Sequence, residues 1–144
     1  MIKKLEDYRY LKKRWVTIVD EISDLQYARE TYEPMTLNSA IGGVRKSGTS
    51  SPTENAALNN LYFYDEIDRK IKEKEKEKAE IELTLKMLDD YVESIEDITI
   101  KRMVDNRYRC GLSWKEVAES AYYAPSSWYY AQQKVYDYLN SHYF

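Results

Sequence analysis

Leu5, Tyr8, Leu11, Trp15, Ile18, Ile22, Leu25, Ala28 and Tyr32 recur at spacings of three and four, which lines them up on one face of a helix over about residues 2–32. Pro34 ends that helix. The stretch 33–50, with Gly42, Gly43, Gly48, Ser and Thr and no sustained period, has the composition of a flexible connection that lets the chain reverse. The next helix is announced by Ser51-Pro52-Thr53-Glu54, with Ser51 as N-cap, Pro52 at the first helical position and Glu54 reaching back as in a capping box. From Tyr64 through Ile67, Ile71, Lys74, Lys78, Ile81, Leu85, Leu88, Val92 and Ile95 the three-four alternation holds. The pattern therefore predicts a long helix over about 52–95, antiparallel to the first helix or packed on a second copy of the chain.

Lysines at two of those seam positions belong to the run Lys72–Lys78, in which Lys and Glu alternate. A strand is excluded because both residue types form strands poorly and the apolar residues on either side keep helical spacing. Three glutamates offset four lysines, so the run is a solvated helical face rather than a nucleic-acid patch.

Beyond Ile95, Ile98, Met103 or Arg102, and Val104 fall on helical spacing in a third helix that stops at Gly111. Ser113 and Glu116 form a second capping box for a short helix over about 113–121, with Trp114, Val117, Ala118 and Ala121 inward. Tyr122 to Ser127 make a turn, and Trp128, Ala131, Val135 and Tyr138 or Leu139 supply the apolar stripe of a last helix. Short helix, tight turn and longer helix form a helix-turn-helix pattern, in which Ala118 is small because the second helix crosses close above it. The expected fold is all-α: a long antiparallel helical hairpin over 1–95, then a helix-turn-helix over 96–144.

Composition agrees. Four glycines and three prolines in 144 residues are too few for a sandwich or barrel, and the length fits one ordinary domain or a small one with a helical extension. A net charge of -3 excludes a uniformly basic coat but not a local basic face. One cysteine, Cys110, closes no internal disulfide and with His142 builds no zinc site, which points to a reducing cytoplasm and to Cys110 as a small core residue. No apolar run of membrane-spanning length and no secretion signal is present, so the expectation is a soluble cytoplasmic protein without a membrane partner. No phosphate loop, nucleophile elbow or metal-spaced cluster suggests an enzyme, and no cofactor is expected.

The residues Arg107-Tyr108, Gly111 to Trp114, Glu116, Val117-Ala118, Tyr123, Ser127, Trp128 and Leu139 resemble the sigma-factor region-four helix-turn-helix of ArpU-type transcriptional regulators from phages of Gram-positive bacteria. The start Asp7-Tyr8-Arg9-Tyr10-Leu11-Lys12-Lys13, followed by two long helices around a Gly-Ser connection, is similar to that family too. This chain differs where the family's turn usually holds Gly (Tyr122), a capping Ser (Ala124) and a basic residue (Tyr130). The resemblance implies a phage or prophage regulator of late genes, acting in a bacterial host cell on double-stranded DNA. Host RNA polymerase and a second copy of the chain are the partners it leaves open for the hairpin.

On that reading Ser126, Ser127, Tyr129, Tyr130, Gln132, Gln133 and Lys134 face outward on the recognition helix, where hydroxyls and amides meet base edges. Lys101, Arg102, Arg107, Arg109 and Lys115 flank the motif and neutralise phosphates. Tyr108, Tyr136 and Tyr138 are packing residues, Trp114 belongs to the core, and His142 is an exposed bystander. The rival reading is a protein-interaction module with a tyrosine-rich face and no DNA binding, since eight of the fifteen tyrosines lie between Tyr108 and Tyr143 and aromatic residues anchor interfaces.

Overall fold

The computed structural model describes residues 1–33 and 52–142; the expected linker residues 34–50 and the Ser51 cap lie outside them. The protein is all-α, with no strand among the described residues. In chain order the helices are α1 (Ile2–Glu6), α2 (Tyr8–Thr31), α3 (Pro52–Glu93), α4 (Ile98–Val104), α5 (Trp114–Ser120) and α6 (Trp128–Ser141), with a π-helical turn at Asp105–Arg109 and a 3-10 turn at Pro125–Ser127. The first predicted helix is thus nearly continuous, interrupted only at Asp7, whose N–H still donates to the Lys3 carbonyl.

Contacts group the residues into two compact units, Thr17–Lys78 and Met1–Val16 with Ala79–Phe144. In the first, α2 and α3 bury Ile18, Ile22, Ala56 and Ile67. Lys74 pairs with Glu21 at 2.6 Å, Arg29 with Asp68 at 2.7 Å, and the Tyr32 hydroxyl bonds Asn60 at 3.0 Å. Partners on α3 descend as those on α2 ascend, the order of antiparallel neighbours. The Tyr32 and Phe63 rings stack at 3.7 Å.

The second unit holds the larger core. Its buried residues include Leu85, Leu88, Val92 and Ile95, Ile100, Met103 and Val104 of α4, Val117 and Ala118 of α5, and Ala131, Val135 and Leu139 of α6. The amphipathic start of the chain belongs here: Leu5 is fully buried, and α1 packs on α6 and on the π turn. The Tyr8 hydroxyl donates to Asp89 at 2.8 Å and the Trp15 indole N–H to Glu82 at 2.9 Å. Burial and the Asp89 hydrogen bond push the Tyr8 hydroxyl up to about 12.

Asp97 caps α4 through hydrogen bonds from the N–H groups of Thr99 and Ile100. Ile98, expected on the apolar face, is exposed, and Ile100 takes the buried place. The π turn follows, where the Cys110 N–H donates to Asp105 and the Leu112 N–H to Asn106. One extra residue per turn shifts the inward face, so Tyr108 is buried and Cys110, expected in the core, is exposed. Gly111 sits at φ 75°, and a Cβ there would run into the Arg9 guanidinium, which lies against it.

Candidate nucleic-acid interface

Ser113 caps α5 as its sequence predicts, its hydroxyl accepting from the Glu116 N–H at 3.2 Å. Trp114, Val117 and Ala118 then face inward, and Ala118 is fully buried where α5 and α6 meet. α5 closes with two reciprocal bonds: the Tyr122 N–H donates to Glu119 at 3.0 Å and the Tyr123 N–H to Ala118 at 2.9 Å. This is a Schellman closure, and it sets Tyr122 at φ 66° with its side chain 90 % exposed. Pro125 opens the 3-10 turn that leads into α6.

Helix α6 buries Ala131, Val135 and Leu139 along one stripe. Tyr129, Tyr130, Gln133, Lys134 and Asp137 are exposed, and by helical spacing they lie on the side opposite that stripe. The Tyr129 and Tyr130 rings lie 4.4 Å apart, and hydrogen bonding of the Tyr129 O–H to Tyr130 favours the protonated phenol and raises the Tyr129 hydroxyl above its ordinary range. Gln133 donates to Asp137 at 2.8 Å. Lys134 reaches the Tyr123 hydroxyl at 3.4 Å. Ser126 is exposed and Ser127 half-buried at the head of the helix. Gln132 is half-buried on the flank, where its amide bonds the Tyr136 hydroxyl at 3.2 Å, so it is not outward as expected.

The flanking cations divide into two groups. Arg102 and Lys115 are exposed, and no described residue pairs with either. Lys101 pairs with Glu93 at 2.9 Å. Arg109, expected on phosphate, is instead enclosed by Asp89 at 2.9 Å, Glu93 at 2.9 Å and Asp105 at 2.5 Å. Burial opposes its charge, yet the three carboxylates hold it protonated above the ordinary arginine range. Arg107 is half-buried: it donates to the Leu112 carbonyl at 3.0 Å and its guanidinium lies 5.0 Å from the Trp114 ring centre. Both arginines tie the helix ends together, and neither stands free for phosphate. The reason is local carboxylate and aromatic neighbours that sequence spacing does not display.

Tyr108 is buried as predicted, but its hydroxyl has no hydrogen-bond partner among the described residues, and burial raises its pKa. His142 is no bystander: its ring stacks on Tyr138 at 4.0 Å and its carbonyl accepts from the Tyr91 hydroxyl at 2.5 Å, fastening the end of α6 to α3. No group of three metal-ligating side chains occurs among the described residues, and no helix there is long and apolar enough to cross a membrane. Comparison with protein-family models, with curated proteins and with solved structures finds no match.

Proposed function

We propose that the protein is a DNA-binding transcriptional regulator of phage or prophage origin, in which α5, the turn and α6 act as a helix-turn-helix and α6 docks in the major groove. The observation that carries this reading is the exposed row on the leading half of α6, Tyr129, Tyr130, Gln133 and Lys134, held by a fully buried stripe on the opposite side. A helix so braced presents amides and hydroxyls to base edges from a rigid platform. Arg102, Lys115 and Lys134 supply the phosphate contacts, with Lys101 at their edge. Regulation of late genes follows from the family resemblance and rests on it alone. The paired segments of α2 and α3 form the hairpin arm on this reading, available to host RNA polymerase or to a second copy of the chain, and the setting is the bacterial cytoplasm.

The rival, a protein-interaction module, is favoured by the same exposed tyrosines, because Tyr anchors protein interfaces as readily as it lines a groove. Selection of bound duplexes from a random-sequence pool by the full chain separates the two. A regulator enriches a defined motif over successive rounds, and the Gln133→Ala variant relaxes one position of it. A pool that stays random through every round rejects the DNA reading in favour of the protein partner.

A further inference from the structure

Tyr122 occupies the one position of the α5 closure that glycine fills at least strain, because only a residue without Cβ takes the left-handed conformation freely. It is the one non-glycine residue at positive φ among the described residues. Among the described residues its side chain makes no contact that would offset this strain: it is 90 % exposed, and it joins no ring pair or side-chain hydrogen bond there. A bulky aromatic at a strained, solvent-facing turn is the kind of outlier that marks a contact made outside the molecule. The place narrows the partner. Tyr122 lies three residues before Pro125, at the entrance to the helix that carries Tyr129, Tyr130 and Gln133. When a recognition helix enters the groove by its leading end, the chain just before it runs beside the sugar-phosphate strand.

We propose that Tyr122 is a backbone-contacting residue of the DNA interface, its ring packed on a deoxyribose and its hydroxyl donating to a phosphate oxygen. This assignment rests on the DNA-binding reading above. It differs in kind from the cations. A neutral hydroxyl releases no condensed counterion, so its loss weakens binding without changing the salt dependence. A contact to sugar and phosphate carries no sequence information, so the loss is the same on every duplex.

The test measures full-length wild type, Tyr122→Gly, Tyr122→Asn and Tyr122→Phe by thermal unfolding and by fluorescence anisotropy. The probes are an enriched duplex and a scrambled duplex of equal length, over a series of salt concentrations. Tyr122→Gly and Tyr122→Asn melt higher than wild type, since both residues accept the left-handed conformation, yet they bind both duplexes about tenfold more weakly, as for one hydrogen bond to a charged group. Their salt slopes equal that of wild type, and Tyr122→Phe lies between. Unchanged or tighter binding by Tyr122→Gly overturns the assignment, as does a loss confined to the enriched duplex or a lowered melting temperature. Wild type that binds neither duplex at low salt overturns the DNA reading itself, and the assignment with it.

Discussion

The guanidinium of Arg107 lies 5.0 Å from the centre of the Trp114 ring while donating to the Leu112 carbonyl, so one side chain spans the break between the π turn and α5. A stacked, half-buried cation of this kind contributes about 1–2 kcal/mol, and the hydrogen bond to the loop carbonyl adds to it. Arg107→Ala therefore lowers the melting temperature by several degrees. Its binding to DNA, measured well below that temperature, keeps the wild-type salt slope. A slope reduced by about one unit, as for a lost phosphate contact, together with unchanged stability, contradicts this placement.

Tyr8 and Tyr108 are buried tyrosines whose ionisation opposes folding in alkali. Burial and the hydrogen bond to Asp89 raise the Tyr8 hydroxyl to about 12, and burial raises Tyr108 as well. In the unfolded chain both titrate near 10. A folded pKa above the unfolded one means that the contribution is complete below about pH 10 and is lost as pH climbs through the folded value. Melting temperatures followed from pH 8 upward, a range set by that reference value, should fall steeply above about 10. Tyr108→Phe removes an ionisable hydroxyl that has no partner among the described residues, so it melts no lower than wild type at neutral pH and loses less stability in alkali. Superimposable alkaline curves for wild type and variant would contradict the placement of Tyr108.

Much of this architecture was legible in the hydrophobic pattern. None of the nine seam residues from Leu5 to Tyr32 is exposed, and none of the ten from Tyr64 to Ile95, including Lys74 and Lys78. Lys74 shows why: its charge turns to Glu21 across the seam while its stem stays in the stripe. Ser113 caps its helix as its sequence predicts, through short-range chemistry; Asp97 caps α4 by the same chemistry but is not among the expected caps. What escaped is non-local or depends on helix phase. The π turn moves Cys110 outward by adding a residue to one turn, which a fixed period of 3.6 does not register. The enclosure of Arg109 joins residues from α3 and the π turn, and the partnership of Tyr8 with Asp89 spans 81 positions. The burial of Leu5 in the core of the C-terminal segments has the same origin: a short helix at the chain start shows which face is apolar, not what covers it.

Asp137 offers a test of the docking face. It lies on the exposed side of α6 and holds the Gln133 amide at 2.8 Å. Against phosphates its charge is repulsive, and its hydrogen bond competes with any base for Gln133. Asp137→Asn should therefore tighten binding to duplex DNA several-fold with little change in melting temperature, as measured by mobility shift. Weaker binding by a variant that is as stable as wild type would place the DNA, if bound at all, on another face of the molecule.

If the face of α6 meets DNA with a small set of cations around it, the salt dependence of wild-type binding shows it most directly. On the DNA-binding reading Arg102, Lys115 and Lys134 would each displace a condensed counterion, so a plot of log affinity against log salt should fall with a slope of about -3. The triple alanine variant should flatten that slope to near zero while leaving helicity unchanged. Wild-type protein with no measurable affinity for duplex DNA at low salt, or with affinity insensitive to salt and to these three substitutions, would contradict the account.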